Sequence, residues 1–184
     1  MNTGNPDQEG LSQVLVVGKG TFPNNPLLPV VLYRDPLGIA SNDAPETVAT
    51  SFESVFERAR WSGGWRNGVY PYHHFHSSAH EVLGCYGGIA DIQLGGPGGA
   101  VLRVVTGDVV IIPAGVAHKR VDSSSGFRVV GAYPYGQTPD MCYGKEGEQN
   151  SAAANVSRVP LPELDPAYPT RGILLNLWSQ NRIQ

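Results

Sequence analysis

Apolar residues recur along this chain in two different rhythms. Across Ala44–Arg60 they fall three and four positions apart, at Phe52, Val55, Phe56 and Ala59, which predicts one helix with a single apolar face. Elsewhere the period shortens toward two, and β-branched runs alternate with turn residues. Gln13–Val17 and Pro29–Tyr33 read as two N-terminal strands, and residues 1–12 as a frayed polar end. The sequence from Trp61 to Gly68, with Gly63-Gly64 at its centre, reads as a break after the helix. Seven short strands are then predicted near 69–76, 81–86, 88–94, 100–105, 108–112, 117–122 and 127–133. Residues 134–157 are polar and loop-like, and Pro160–Pro166 is an extended proline-rich connection. The apolar run from Gly172 to Trp178 is expected to return to the body as a last strand, within 171–178.

Composition strengthens the strand reading. The 184 residues include 23 glycines and 15 prolines, and only 16% are charged, which favours an all-β protein of tight turns. Evenly spaced short strands suggest a sandwich or jelly-roll barrel. One domain over 1–184 is expected, with a barrel core at about 69–133 and N-terminal strands and helix at 13–60. A net charge of −3 without a basic run argues against nucleic acid as a partner. No apolar stretch approaches the roughly 20 residues that span a membrane, and the first ten residues lack the features of a secretory signal. Cys85 and Cys142 are read as reduced thiols, consistent with a cytoplasmic location.

The candidate chemistry lies in His74-Phe-His-Ser-Ser-Ala-His-Glu81. On an extended backbone His74 and His76 share a face, with Phe75 on the other. Glu81 adds a carboxylate, and His118, after a Pro113-Ala-Gly turn, is a fourth candidate. Imidazole with carboxylate suits a divalent first-row transition metal better than a structural zinc site, which usually has cysteines.

These residues resemble the two motifs of the cupins. The first is Gly, five residues, His-x-His, three or four residues, Glu, six residues, Gly, matched by Gly68, His74, His76, Glu81 and Gly88. The second is Gly, five residues, Pro-x-Gly, two residues, His, three residues, Asn. It is matched by Gly107, Pro113, Gly115 and His118, with Asp122 where asparagine is usual. Further stretches, among them Phe22-Pro-Asn-Asn-Pro, Trp65-Arg-Asn-Gly and Val130-Gly-Ala-Tyr-Pro, are similar to the small single-domain YjlB-like cupins.

The resemblance implies an RmlC-like double-stranded β-helix, with the motif glycines at corners and Asp122 in a turn or outer hydrogen bond. It also implies a metal site of His74, His76, Glu81 and His118 holding iron, manganese, nickel or zinc, and a homodimer formed through N-terminal strands. Dioxygenase, decarboxylase and isomerase chemistries all occur on cupins, and the fold does not choose among them. The expectation is an enzyme acting on a small organic molecule, of dioxygenase-like or decarboxylase type, with Glu81 able to act as a base. The alternatives are a non-catalytic small-molecule carrier and a barrel whose metal is structural.

Other residues admit two readings each. Tyr72 should share the His74 face and line the pocket or pack in the core. Arg66, with Trp61 and Trp65, gates an anionic substrate or plugs the gap between helix and barrel. Cys85 alternates with Glu81 and Leu83, so it faces the interior above the metal or fills space as a small hydrophobe. His73 and His80 neighbour inward residues and are expected to point outward.

Overall fold

The computed structural model describes residues 11–16, 20–40, 42–170 and 173–182. Its elements are β1 (Leu11–Val16), β2 (Asn25–Tyr33), α1 (Pro45–Arg58), β3 (Trp61–Asn67), β4 (Glu81–Gly87), β5 (Ile89–Leu94), β6 (Val101–Val105), β7 (Val109–Ile112), β8 (His118–Ser123), β9 (Arg128–Pro134), α2 (Glu148–Val156) and α3 (Ile173–Arg182). Strands β1-β2-β7-β4-β9-β3 form one sheet and β6-β5-β8 a second, with every pairing antiparallel. The chain changes sheet between β4 and β5, β6 and β7, β7 and β8, and β8 and β9. That repeated crossing makes a jelly roll, as the strand spacing predicts.

Strand alternation decides what faces the barrel. On β4, Leu83 and Cys85 join Val110, Ile112 and Val129 in the core between the sheets. Val82 belongs to the opposite face, where Val109, Ile111 and Val130 meet α1 and α3. Helix α1 buries Val48, Ala49, Phe52, Val55 and Phe56 on that outer face, each large apolar side chain contributing about 2–3 kcal/mol. Gly84 is the seat for Phe52, since a Cβ there would lie 2.6 Å from the ring's Cγ. Gly84→Ala should therefore lower stability by about 1–3 kcal/mol, read as a lower urea midpoint. An unchanged midpoint would mean that α1 sits loosely on the sheet.

The structure departs from the expected elements in five places. Trp61–Asn67 does not break the chain but forms β3, because Gly63, at φ +68°, takes up a bulge between Ser62 and Trp65 within an edge strand. Residues 69–76 form no regular strand; single bridges pair His74 with His118 and Phe75 with Cys142. The 134–157 segment contains α2, whose Ala152-Ala153-Ala154 run favours a helix. The predicted return strand is α3: Leu174 and Trp178, four apart, are both fully buried on one helical face. Of the motif glycines, Gly88, Gly107 and Gly115 have positive φ, while Gly68 does not. Residues 1–10, Val17 and Gly172, which carried parts of the expected frayed end and strands, lie outside the described residues.

Asp165 fastens α3. Fully buried, its carboxylate accepts hydrogen bonds from the Tyr33 hydroxyl (2.7 Å) and the backbone N–H groups of Ala167 (2.9 Å), Tyr168 (3.0 Å) and Leu174 (2.8 Å). Leu174 lies in the first turn of α3, where orphan N–H groups need an acceptor. Trp178 then reaches the barrel wall, its indole donating to the Pro29 carbonyl at 3.0 Å.

Candidate metal centre

Glu81 opens β4 with the same parity as Leu83 and Cys85, so its carboxylate points into the barrel at the open end. His118 opens β8 on the facing sheet. His74 is bridged to His118 through backbone atoms: His118 N–H donates to the His74 carbonyl at 2.9 Å, and His74 N–H to the His118 carbonyl at 3.2 Å. His76 is tied to the turn before β8, its carbonyl accepting from Gly115 N–H at 2.8 Å. Gly115 is obligatory there: its φ is +89°, and a Cβ would stand 2.6 Å from the Asn24 carbonyl oxygen.

All four side chains are buried. The imidazole rings are oriented by backbone carbonyls. Nδ1 of His74 lies 3.2 Å from the Tyr72 carbonyl, Nδ1 of His118 lies 3.1 Å from that of Val116, and Nδ1 of His76 contacts that of Asp140. A carbonyl can only accept, so each Nδ1 carries the proton and each Nε2 is left as a lone pair. One nitrogen from each ring falls within 4.8 Å of the others. Glu81 completes the ring, with Oε1 3.5 Å from His76 Nε2 and Oε2 3.2 Å from His118 Nε2.

This set fits a cation. Glu81 Oε2 is buried and has no aligned hydrogen-bond donor, a costly state for a carboxylate unless positive charge is near. Burial, with the His118 ring second, pushes the His74 imidazole down to about 3, so that ring is neutral. Burial also opposes charge on His76, but Glu81 foremost, then Asp140, hold it above its usual value. Burial likewise opposes ionisation of Glu81, yet its imidazole neighbours, His76 first, keep the carboxyl below the usual range. Glu81 thus favours positive charge among the imidazoles, which a bound cation would supply.

Around these residues lies a cavity of about 330 Å³, walled by Trp65, Val69, Tyr70, Leu83, Tyr133 and Met141. The Tyr133 hydroxyl donates to Glu81 Oε1 at 3.2 Å and accepts from Trp65 Nε1 at 3.0 Å, which pins one carboxylate oxygen. Trp65 itself lies across Gly131, its cross-strand partner, where a Cβ would come within 2.2 Å of the indole.

The remaining expected residues are dispersed. Arg66 reaches the cavity rim, but its guanidinium binds both oxygens of Glu53 (2.6 and 2.7 Å) and also Glu46, both on α1, so it joins helix to barrel. Tyr72 does not line the cavity; it stacks behind Tyr70, ring centroids 4.9 Å apart. Cys85 faces the interior but lies four residues beyond Glu81, roughly 13 Å along the strand, with Leu83 between them. Burial pushes its thiol up to about 12, as for an inert core cysteine. His80 is buried rather than outward-facing: Nδ1 accepts from Ala114 N–H at 2.9 Å and the ring packs on Trp178. His73 is half-buried beside Phe22. Asp122 is exposed on β8 and accepts from Ser123 N–H, away from the four ligand candidates.

Asp140 supports the His76 segment twice. Its backbone carbonyl orients the ring, and its carboxylate accepts from Ser77 N–H (2.6 Å), the Ser77 hydroxyl and Ser78 N–H (3.3 Å). Asn155 of α2 donates to the same Ser77 hydroxyl at 2.9 Å. Burial raises the Asp140 carboxyl, but the Ser77 hydrogen bonds, followed by those of Cys142 and Ser78, hold it below its usual value. A depressed folded-state pKa stabilises above the unfolded value, about 3.9, and that contribution is lost as pH falls through the lower folded value. Asp140→Asn should therefore be less stable at pH 7 and lose less on acidification to about pH 3 than the parent chain. Urea midpoints across that range read the difference; parallel curves would contradict it.

No family model matches the chain. The uncharacterized protein YjlB of Bacillus subtilis (strain 168) is 41% identical over 162 residues, covering 86% of this chain and 91% of its own. Among solved structures, an acireductone dioxygenase from Bacillus anthracis, with a cadmium ion in its active centre, gives a TM-score of 0.41 at 12% identity. It covers 60% of this chain and 82% of that one. A cupin 2 domain-containing protein from Halorhodospira halophila gives 0.34 at 13% identity, covering 88% and 90%. Likenesses this distant carry no weight for activity, and the jelly-roll assignment rests on the strand order itself. Among the described residues no helix is long and apolar enough to cross a membrane.

Proposed function

The chain belongs to the family of Bacillus subtilis YjlB, and on that premise we propose that it is a metal-dependent enzyme acting on a small organic molecule. His74, His76, Glu81 and His118 hold one divalent transition-metal ion, and the chemistry is oxidoreductase, of dioxygenase type, or decarboxylation. The reading is carried by one observation: three imidazoles, each with Nδ1 turned to a backbone carbonyl, bring one nitrogen apiece together beside a buried carboxylate in the wall of an open cavity. A structural ion needs no cavity at its side, whereas a reacting centre needs room for a substrate.

Iron, manganese, nickel or zinc bound there would supply Lewis-acid polarisation of a substrate oxygen, and a redox-active ion would add electron transfer. The protein's own part is positioning and proton handling. Glu81, held at Oε1 by Tyr133, would hold the ion through Oε2, and on letting go of it as substrate binds would be placed to accept a proton there. Trp65, Leu83 and Met141 present apolar surface to the cavity.

The test is reconstitution with each of the four metals, followed by assays of oxygen uptake and carbon dioxide release on a panel of small carboxylates and enols. Turnover that needs metal and falls in Glu81→Gln supports the reading. Its absence, together with a manganese-loaded chain that does not enhance water-proton relaxation, would contradict it. That result would leave a barrel whose ion has no exchangeable position.

A further inference from the structure

The cavity's mouth carries a feature that the metal ligands do not explain. Tyr70 is 42% exposed and forms part of the wall. Its ring packs against two others, and its backbone is tied to β8. Tyr72 stacks on it with an interplanar angle of 17°, His74 meets it edge to face at 5.1 Å, and its carbonyl accepts from Arg120 N–H on β8 at 2.9 Å. Tyr143 extends the aromatic surface beyond Tyr72, at 6.0 Å. Large aromatic rings left half in water, and rigid before any ligand arrives, form a platform for a flat apolar surface.

Charge narrows the class. Arg66 is the one cationic side chain lining the cavity among the described residues, and Glu53 and Glu46 already occupy it. Nothing in the wall would compensate a phosphate or a second carboxylate. Besides the four ligand candidates, Arg66 and Asn67, the lining offers rings and aliphatic carbons from Trp65, Val69, Tyr70, Leu83, Tyr133 and Met141.

Resting on the proposed metal-dependent reading, we infer that this site takes a small planar molecule, an aromatic or enolic ring with adjacent oxygen donors, and that Tyr70 selects it by stacking. The ring lies along Tyr70 while its oxygens reach the metal site. Compounds that carry a phosphate or a further carboxylate beyond the chelating oxygens are excluded as ligands.

Catechol and oxalate separate the two contributions, since both chelate through paired oxygens but only catechol has a ring. Both are titrated calorimetrically, under nitrogen, into nickel-loaded parent and Tyr70→Ala chains, with nickel content measured on the same samples. Tyr70→Ala is expected to weaken catechol roughly tenfold and to leave oxalate unchanged. Catechol binding unchanged in the variant, or both chelators weakened alike, would overturn the inference while the metal reading stands. Parent chain that takes up no nickel would overturn the metal reading, and the inference with it.

Discussion

Replacing His118 by alanine is expected to weaken metal binding by more than about 100-fold, beyond the 10–100-fold loss typical of removing an outer partner. The ring contributes one of three converging nitrogens and is the nearest ring nitrogen to Glu81 Oε2, at 3.2 Å. Its removal leaves His74, His76 and the carboxylate, a three-ligand set that has lost the nitrogen facing Glu81 Oε2 and was not built to close around an ion without it. The fold should survive, because the bridge to His74 runs through backbone atoms that alanine retains. Competition against a fluorescent chelator reads the affinity. Asp140→Asn, which touches the site only through the segment carrying His76, should cost less. An affinity for His118→Ala within about threefold of the parent would remove His118 from the ligand set.

Asp165→Ala should be the most damaging single change outside the site, lowering unfolding free energy by at least about 3 kcal/mol. The carboxylate accepts from four donors, three of them backbone N–H groups in the turn and first turn of α3. Alanine strands these groups in a region where Leu174 and Trp178 exclude water. Asp165→Asn separates charge from shape: it keeps one acceptor oxygen and should recover part of the loss. Denaturant unfolding measures both, and a change below about 1 kcal/mol for Asp165→Ala would show that α3 is held by apolar packing alone.

The centre is legible in the sequence because its information is local. His74, His76 and Glu81 sit within eight residues, and the Gly107-to-His118 spacing places a turn ahead of the fourth residue. The surroundings are less legible, because face assignment by alternation assumes regular strands. Residues 69–76 are bridged only at single points, so Tyr70 rather than Tyr72 reaches the cavity. Tyr133 shares parity with Val129, which faces the barrel interior, but that helps only once one face of β9 is known. Nothing local marks Met141. Arg66 reads as a gate because its partners, Glu46 and Glu53, lie 20 and 13 residues away on a helix whose docking no short motif encodes. The Gly63-Gly64 pair looks like a stop, yet an edge strand paired on one side can absorb a bulge. Residues 172–178 look like a strand by apolar content, and the four-residue spacing of Leu174 and Trp178 is the better guide.

The most direct measurement is metal content, by mass spectrometry, of the chain purified without an affinity tag and again after reconstitution with iron, manganese, nickel or zinc. The arrangement of His74, His76, Glu81 and His118 predicts close to one ion per chain, lost on His76→Ala. A chain that binds none of the four metals, even after reconstitution, would contradict the metal centre and leave the barrel as a cavity without its reactive ion.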